Sequence, residues 1–350
     1  MASHDAHVLS IGTRRIGSGF PCFVIAEAGI NHNGDAMLAA ELVAAAAEAG
    51  ADAIKFQTHL PAHEMLKGGA TAAYVGESLF ELLTRTALAP EAHVAMRDLA
   101  AKKGILFLST PFSREAADYL ETLGVPAFKT GSGELTNLPL QRHIARKGRP
   151  MIVSTGMSTP DEIDRTVQVL SDERVPFALM HCTSTYPTPY EHVQLGCIAS
   201  LQERYGVPVG FSDHTLGNAV AFAAVARGAN LFEKHFTTSR SLPGPDQSGS
   251  MEPSELAELV RGIRAIEQAG GSTKMIQPGE QDVRNMALHS VVSVRDIAAG
   301  SVIGPDDVWV KRPGTGIPAS RLDEIVGRVA ARPIVRDRLV EWSDLADAAR

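Results

Sequence analysis

Cysteine is nearly absent from the chain: three residues in 350, at positions 22, 182 and 197. Thiols so few and so scattered exclude a disulfide framework and a zinc knuckle. Long apolar runs are missing too. The Ala-rich stretch from 37 to 54 is broken by Glu41, Glu48 and Asp52, so it does not predict a membrane span. The N-terminus, MASHDAHVLS, lacks the basic and apolar regions of a secretory signal, and the chain is expected to be cytoplasmic. There is no excess of positive charge: 33 Lys and Arg stand against 40 Asp and Glu, a formal net charge of −7. That balance argues against sequence-independent binding to nucleic acid and against an anionic membrane surface. An anionic small substrate remains compatible, because a few lysines focused in one pocket override the global sign.

What is present is ordinary in amount and regular in order. Apolar residues make up 44% and charged residues 21%, as in a soluble globular protein. From residue 23 to about 270, a short apolar strand is repeatedly followed by a polar or Gly-rich loop and an amphipathic helix. The predicted strands are FVIAE (23–27), AIKFQ (53–57), ILFLS (105–109), AFKT (127–130), MIVST (151–155), FALMH (177–181), VGFS (209–212) and LFEKHF (231–236). The helices between them include TPDEIDRTVQVLSD, which opens with a Thr cap, Pro and acidic residues. Near-continuous apolar strands alternating with helices predict a parallel sheet covered by helices. Eight such units in about 250 residues predict an α/β protein of the (β/α)8 TIM-barrel type, not an open dinucleotide-binding sheet. No GxGxxG follows the first strand. Residues 1–22 precede the barrel as an extension or hairpin, 23–270 form the catalytic barrel and 271–287 read as a linker. Residues 288–350 form a small β-rich domain with strand signals HSVVSV, DDVWVKR and ARPIV.

In such barrels the active site forms where the C-terminal strand ends meet the following loops. Every predicted strand ends on polar groups: Glu27; Lys55 and Gln57; Ser109 and Thr110; Lys129; Ser154; His181; Ser212 with His214; and His235. A single polar strand end is commonly a helix cap, whereas eight predict the ring of a pocket. Lys55 and Lys129 lie within strands that otherwise read as buried, so each needs an anion or a carboxylate nearby. The bland alternative is a salt bridge to a neighbouring strand. With Thr110, Ser132, Ser154 and Ser212 alongside, the two lysines favour a phosphate-bearing substrate. His214 and His235 follow adjacent strands, within coordination reach of one another. Two imidazoles leave positions open for water and substrate, and oxygen donors completing the shell suit Mn²⁺ or Mg²⁺. Alternatively, His214 caps a helix and His235 is a hydrogen-bonded core residue. Glu27, Glu134, Asp213 and Asp246 are acids at loop or strand ends. Asp246 stands in a Pro/Gly loop of a kind that is usually structural, and His32, in NHNGD, reads as turn and helix entry.

Ten motifs in order, IAEAGINHNGD, GADAIKFQTH, STPF, FKTGSGE, STGMST, HCTSTYPTPYEHVQL, GFSDHT, EKHF, GPD and KRPGTGI, resemble the sialic acid synthases over practically the full length. These enzymes condense phosphoenolpyruvate (PEP) with N-acetylmannosamine. The resemblance implies a (β/α)8 barrel followed by an antifreeze-like SAF domain. It also implies a divalent metal, Mn²⁺ with Mg²⁺ or Co²⁺ as alternatives, on His214 and His235. Lys55, Thr110, Lys129, Ser132, Ser154, Ser184 and Ser212 would hold PEP; Ser184 sits where some relatives carry Asn. Gln57, Glu134, Tyr186 and Asp246 would hold the sugar. Glu27 would be the catalytic carboxylate, with His235 also catalytic. Arg312 would reach the partner's active site in a domain-swapped homodimer.

N-acetylmannosamine is the expected acceptor. The alternatives are a 2,4-diacetamido-trideoxy hexose, as in legionaminic or pseudaminic acid synthesis, and N-acetylmannosamine 6-phosphate. A metal-dependent pyruvate aldolase would share the two histidines without needing the hydroxyl-lined anion cradle. An ice- or carbohydrate-binding protein would leave the polar strand ends without a purpose.

Overall fold

The computed structural model describes residues 8–68 and 78–346. It divides into two compact units, Met1–Gly271 and Ser272–Arg350. In the first, an antiparallel hairpin of β1 (Val8–Ile11) and β2 (Arg14–Gly17) precedes eight parallel strands. These are β3 (Phe23–Gly29), β4 (Ala53–Thr58), β5 (Leu106–Pro111), β6 (Phe128–Thr130), β7 (Met151–Ser154), β8 (Phe177–Cys182), β9 (Val209–Asp213) and β10 (Leu231–His235). Each of the eight barrel strands expected from the sequence is present, with its ends moved by two residues at most. The ladder runs β5-β4-β3-β10-β9-β8-β7-β6 and makes a nearly closed barrel.

The local signals explain the joins between strands and helices. Asn33 and Gly34 have positive φ and turn the chain after β3, and the Asp35 carboxylate then accepts from Met37 N and Leu38 N at the head of helix Ala36–Glu48. NHNGD is thus a turn and a helix entry. Thr159 and Glu162 form a reciprocal capping box at the start of helix Pro160–Asp172.

Strand pleating divides the barrel into an inner and an outer set of side chains. On the inside, Phe23, Ile25, Ala53, Leu108, Ala127, Ile152, Ala178, Met180 and Leu231 pack with Leu9, Ile11 and Ile16 of the hairpin. The hairpin therefore completes an apolar floor. Higher up, the same faces turn polar. On the outside, strand residues such as Val24, Phe56, Phe128, Leu179 and Phe211 join the helices in the larger core.

The same alternation corrects two expectations. His181 does not face the pocket: it is buried on the outer side, stacked on Phe211 (5.9 Å between ring centroids) and bonded to the Val193 carbonyl at 2.6 Å. Ser109 also leaves the ring, sharing a 2.7 Å hydrogen bond with Thr58 and donating to the Phe56 carbonyl. Both are one residue out of phase with an inward neighbour, Cys182 and Thr110.

In the second unit, β11 (Ser290–Ser293) and β12 (Val308–Lys311) pair antiparallel over a core of Val291, Ile297, Ile303, Val308, Ile317 and their neighbours. ARPIV does not form a strand; it contributes a single bridge, Ile297 to Ile334. Residues 271–287, expected as a linker, include helix Glu280–Ala287. Its acidic first turn, with Glu280 accepting from Gln277 N at 2.7 Å, gives it a start signal that the surrounding Gly and Pro obscure.

Lys234 points out of the barrel between inward Glu233 and His235. Its ammonium meets Asp213 Oδ2 at 2.6 Å, Thr215 O at 2.6 Å and Gly217 O at 2.9 Å, so it clamps the loop that carries His214. Both partners are buried. Lys234→Met should leave Asp213 as an uncompensated buried charge and lower stability by about 3–5 kcal/mol. An unchanged midpoint in denaturant unfolding would show that the clamp contributes nothing.

Candidate active site

The C-terminal half of the barrel interior carries a row of alternating charges. Adjacent strands are in register such that Glu27 lies opposite Lys55 on one side and His235 on the other, and Glu233 lies opposite Ser212. Lys55 Nζ sits 2.5 Å from Glu27 Oε2 and 3.7 Å from Glu233 Oε2, and donates to Thr110 Oγ1 at 3.1 Å. Lys129 Nζ lies 3.6 Å from Glu233 Oε1 and donates to Ser154 Oγ at 2.9 Å and to the Thr130 carbonyl at 3.1 Å. Ser212 Oγ donates to Glu233 Oε1 at 3.0 Å. The sequence Glu27, Lys55, Glu233, Lys129 is thus a neutral, buried row edged by hydroxyls.

Burial acts against every charge in that row, and the neighbours decide the outcome. Burial pulls Lys55 down, but Glu233 and Glu27 on either side outweigh it and raise the ammonium above its ordinary value. Lys129 is held below its ordinary value, because burial and the nearby Lys55 outweigh Glu233 and Glu27. Burial pushes Glu233 up, yet Lys129, Lys55 and the Ser212 hydroxyl bring it down to about 2. Glu233 is the central member of the row, and the polar-strand-end reading missed it. The available signal was period two: Leu231, Glu233 and His235 share a face.

Two glycines make room for the polar groups. Gly29 has φ +52° and follows a register shift between Glu27 and Gly29, so the strand bends as it leaves Glu27. A Cβ at Gly156 would meet Ser184 Oγ at 2.5 Å and Ser132 Oγ at 2.6 Å, and Gly156 N donates to Ser132 Oγ at 3.1 Å. The bare backbone there is what lets Ser132 and Ser184 converge.

Beside the row stand the two histidines, with ring centroids 5.6 Å apart. His214 Nδ1 is 2.9 Å from the Thr183 carbonyl, which leaves Nε2 as its uncommitted nitrogen. His235 Nδ1 is buried without a hydrogen-bond partner among the described residues, 4.0 Å from Asp246 Oδ2. Two imidazoles with uncommitted nitrogens fit a divalent ion. Among the described residues no group of three or more His, Cys, Asp or Glu is arranged to hold a metal, so water and substrate would complete its shell. Tyr186 covers His214 at 4.1 Å and approaches His235 at 6.0 Å. Cys182, absent from the expected set, lies 3.9 Å from His214 Nδ1 and 3.8 Å from Ser184 Oγ.

Of the expected sugar residues, Gln57, Glu134, Tyr186 and Asp246 lie in the first unit and Arg312 in the second. Gln57 Nε2 donates to Glu27 Oε1 at 3.1 Å, and Tyr186 and Asp246 stand at the histidine pair. Glu134 ends the 3-10 turn Ser132–Glu134 after β6 and has a buried oxygen with no partner among the described residues. Arg312 belongs to the second unit, where its Nε donates to the Ala287 carbonyl at 3.0 Å.

A parallel barrel with a hydroxyl-lined ionic row and a histidine pair at its C-terminal strand ends defines a class, the (β/α)8-barrel enzymes. Comparison with known proteins makes the class specific. Residues 42–275 match the NeuB family and residues 289–346 match the SAF domain, and the chain belongs to the NeuB family. It is 42% identical to the N,N'-diacetyllegionaminic acid synthase of Legionella pneumophila, over 90% of this chain and 92% of that one. It is 35% identical to the human N-acetylneuraminate-9-phosphate synthase, over 90% of each chain. Among solved structures, the N-acetylneuraminic acid synthetase of Leptospira borgpetersenii in complex with citrate superposes with a TM-score of 0.73 at 34% identity, covering 79% of this chain and 95% of that one.

The Glu134 carboxyl is pushed from 4.5 up to about 7 by burial, with Glu64 adding to the rise and Lys129 opposing it. Between those values the folded chain binds more protons here than the unfolded chain, so this group makes stability fall as pH rises from about 4.5 to about 7, then levels off. Glu134→Gln should remove that slope. Denaturant midpoints taken across this range check it, and parallel curves for both proteins would contradict it.

Proposed function

We propose that the chain condenses PEP with the open-chain aldehyde of an N-acylated amino sugar and releases phosphate by C–O cleavage. The observation that carries this reading is the buried row of two lysines edged by Thr110, Ser154 and Ser212, beside the His214–His235 pair. A substrate bearing both a carboxylate and a phosphate matches Lys55 and Lys129 with their hydroxyls, joined by Ser132 and Ser184 at Gly156. A divalent ion on His214 and His235 supplies Lewis acidity for the aldehyde oxygen when bound. Gln57, beside Glu27, and Tyr186 and Asp246, beside the histidine pair, are the side chains available to hold the amino sugar.

C3 of PEP attacks C1 of the aldehyde: the C–C bond forms as the carbonyl π bond breaks toward oxygen, leaving an alkoxide there, which is later protonated, and positive charge at C2. Glu27, held between Lys55 and Gln57, is placed to stabilise that charge and to take the proton of the water that adds at C2. The C2–O bond to phosphate then breaks as the C2 hydroxyl becomes the ketone, its proton leaving with phosphate, while the proton taken by Glu27 balances the one gained by the alkoxide. Glu27→Gln should keep PEP binding within a few-fold and lower turnover by roughly 10²–10⁴-fold. Calorimetric titration and phosphate release read the two effects separately, and unchanged turnover would remove Glu27 from the chemistry.

For the acceptor, the 42% identity to a diacetyllegionaminic acid synthase, against 34% to an N-acetylneuraminic acid synthetase and 35% to an N-acetylneuraminate-9-phosphate synthase, supports a 2,4-diacetamido hexose over the N-acetylmannosamine expected from motifs and over its 6-phosphate. Incubation with PEP, Mn²⁺ and each of the diacetamido sugar, N-acetylmannosamine and its 6-phosphate should release phosphate fastest with the first. Release only with N-acetylmannosamine would restore the motif-based expectation. Turnover of pyruvate and none of PEP would overturn condensation altogether.

A further inference from the structure

Glu27 receives a second contact, and that contact is the end of a chain of hydrogen bonds. Gln57 Nε2 donates to Glu27 Oε1 at 3.1 Å, Gln57 Oε1 lies 3.0 Å from His59 Nε2, and His59 Nδ1 lies 2.9 Å from Glu64 Oε1. The side chains of His59 and Glu64 are only 8% and 4% exposed, so water does not substitute for these partners. The imidazole is stacked flat on Phe112, with ring centroids 4.1 Å apart and 14° between planes, which fixes where its nitrogens point. Neither residue has a part in the reaction above.

Donor and acceptor counting settles the direction of the chain. The carboxylate of Glu27, paired with Lys55, takes only donors, so the Gln57 NH₂ must face it and Gln57 Oε1 must face His59. His59 Nε2 must then carry a hydrogen. Its Nδ1 accordingly either donates to an ionised Glu64 from an imidazolium or accepts from a protonated Glu64. In both cases the pair holds one proton beyond neutral imidazole plus carboxylate. When that proton is lost, the Glu64 carboxylate draws the remaining imidazole hydrogen to Nδ1. Nε2 then presents a lone pair, and Gln57 can give its NH₂ to His59 only by turning it away from Glu27, which loses that donor.

We propose that His59 and Glu64 form a positioning pair whose shared proton sets the orientation of the Gln57 amide, and through it the hydrogen bonding of Glu27. This rests on Glu27 being the catalytic carboxylate. Other charged and titratable groups face the pair from the packed elements around it. Glu134 lies near Glu64 from the turn after β6, and His63 reaches Glu115 of helix Arg114–Leu123 at 3.7 Å. Arg114 pairs with Glu115, His32 approaches from the turn after β3, and Lys55 and Glu27 lie beyond Gln57 on the strands.

The test uses full-length protein labelled with ¹⁵N-histidine, in which long-range ¹H–¹⁵N correlations report which ring nitrogen carries hydrogen. The His59→Asn spectrum assigns the signal. His59 should carry hydrogen on Nε2, and Glu64→Gln, whose amide donates to Nδ1, should keep it there. In kinetics with PEP and the amino sugar turned over, His59→Asn should lower kcat by about tenfold to hundredfold with KM for PEP within about twofold. Glu64→Gln should keep most activity and change the pH dependence of kcat. A neutral Nδ1–H tautomer in the wild type, or superimposable pH profiles for wild type and Glu64→Gln, would overturn the proposal. Absence of turnover with every sugar would count against the condensation reading, while the imidazole spectrum still decides the pair.

Discussion

The site depends on a conflict inside the barrel: four ionisable side chains placed where burial penalises charge. Glu27, Lys55, Glu233 and Lys129 resolve it by alternating in sign, with hydroxyls filling the remaining donor and acceptor positions. Such rows are costly to desolvate and strongly destabilising when one member is removed. Lys55 sits between two carboxylates and is raised, whereas Lys129 has one close carboxylate and is lowered. The two lysines are therefore not equivalent groups, although the sequence presents them alike.

The row stands on an apolar floor and is supported from outside. Leu9, Ile11 and Ile16 of the hairpin pack into the apolar floor at the N-terminal end of the barrel, so the polar layer lies toward the loops at the C-terminal end. Outside the wall, Lys234 ties Asp213, Thr215 and Gly217 together and so fixes the loop on which His214 is carried. One strand, β10, thus supplies three functions at successive positions: the centre of the row inward, the loop clamp outward, and a histidine at its end.

That economy explains what the sequence reveals and what it conceals. Eight strands and the helices between them were legible because apolar runs and caps are local signals. Lys55, Lys129, His214 and His235 were legible because charged and imidazole side chains in such runs are unusual. Glu233 was not, because EKHF presents three polar residues in succession, and only strand phase tells the inward ones from Lys234. His181 failed for the same reason, being one residue out of phase with Cys182. His59 and Glu64 gave no signal because their meaning lies in a contact with Gln57, and hydrogen-bond direction is not written in residue type. The helix Glu280–Ala287 was hidden by the Gly and Pro before it.

Charge neutrality of the row carries a kinetic consequence. Two cations and two anions within a few ångströms have no net monopole, so their field fades quickly with distance, and the chain as a whole is negative at −7. These four groups therefore do not by themselves draw an anionic substrate in from bulk solution, and net positive charge at the site would have to come from a divalent ion on the histidines. At physiological ionic strength the screening length is about 8 Å, so attraction begins only at the mouth of the barrel. Association should be set by diffusion and by access through the loops, and added salt should ease the approach by screening a repulsive surface.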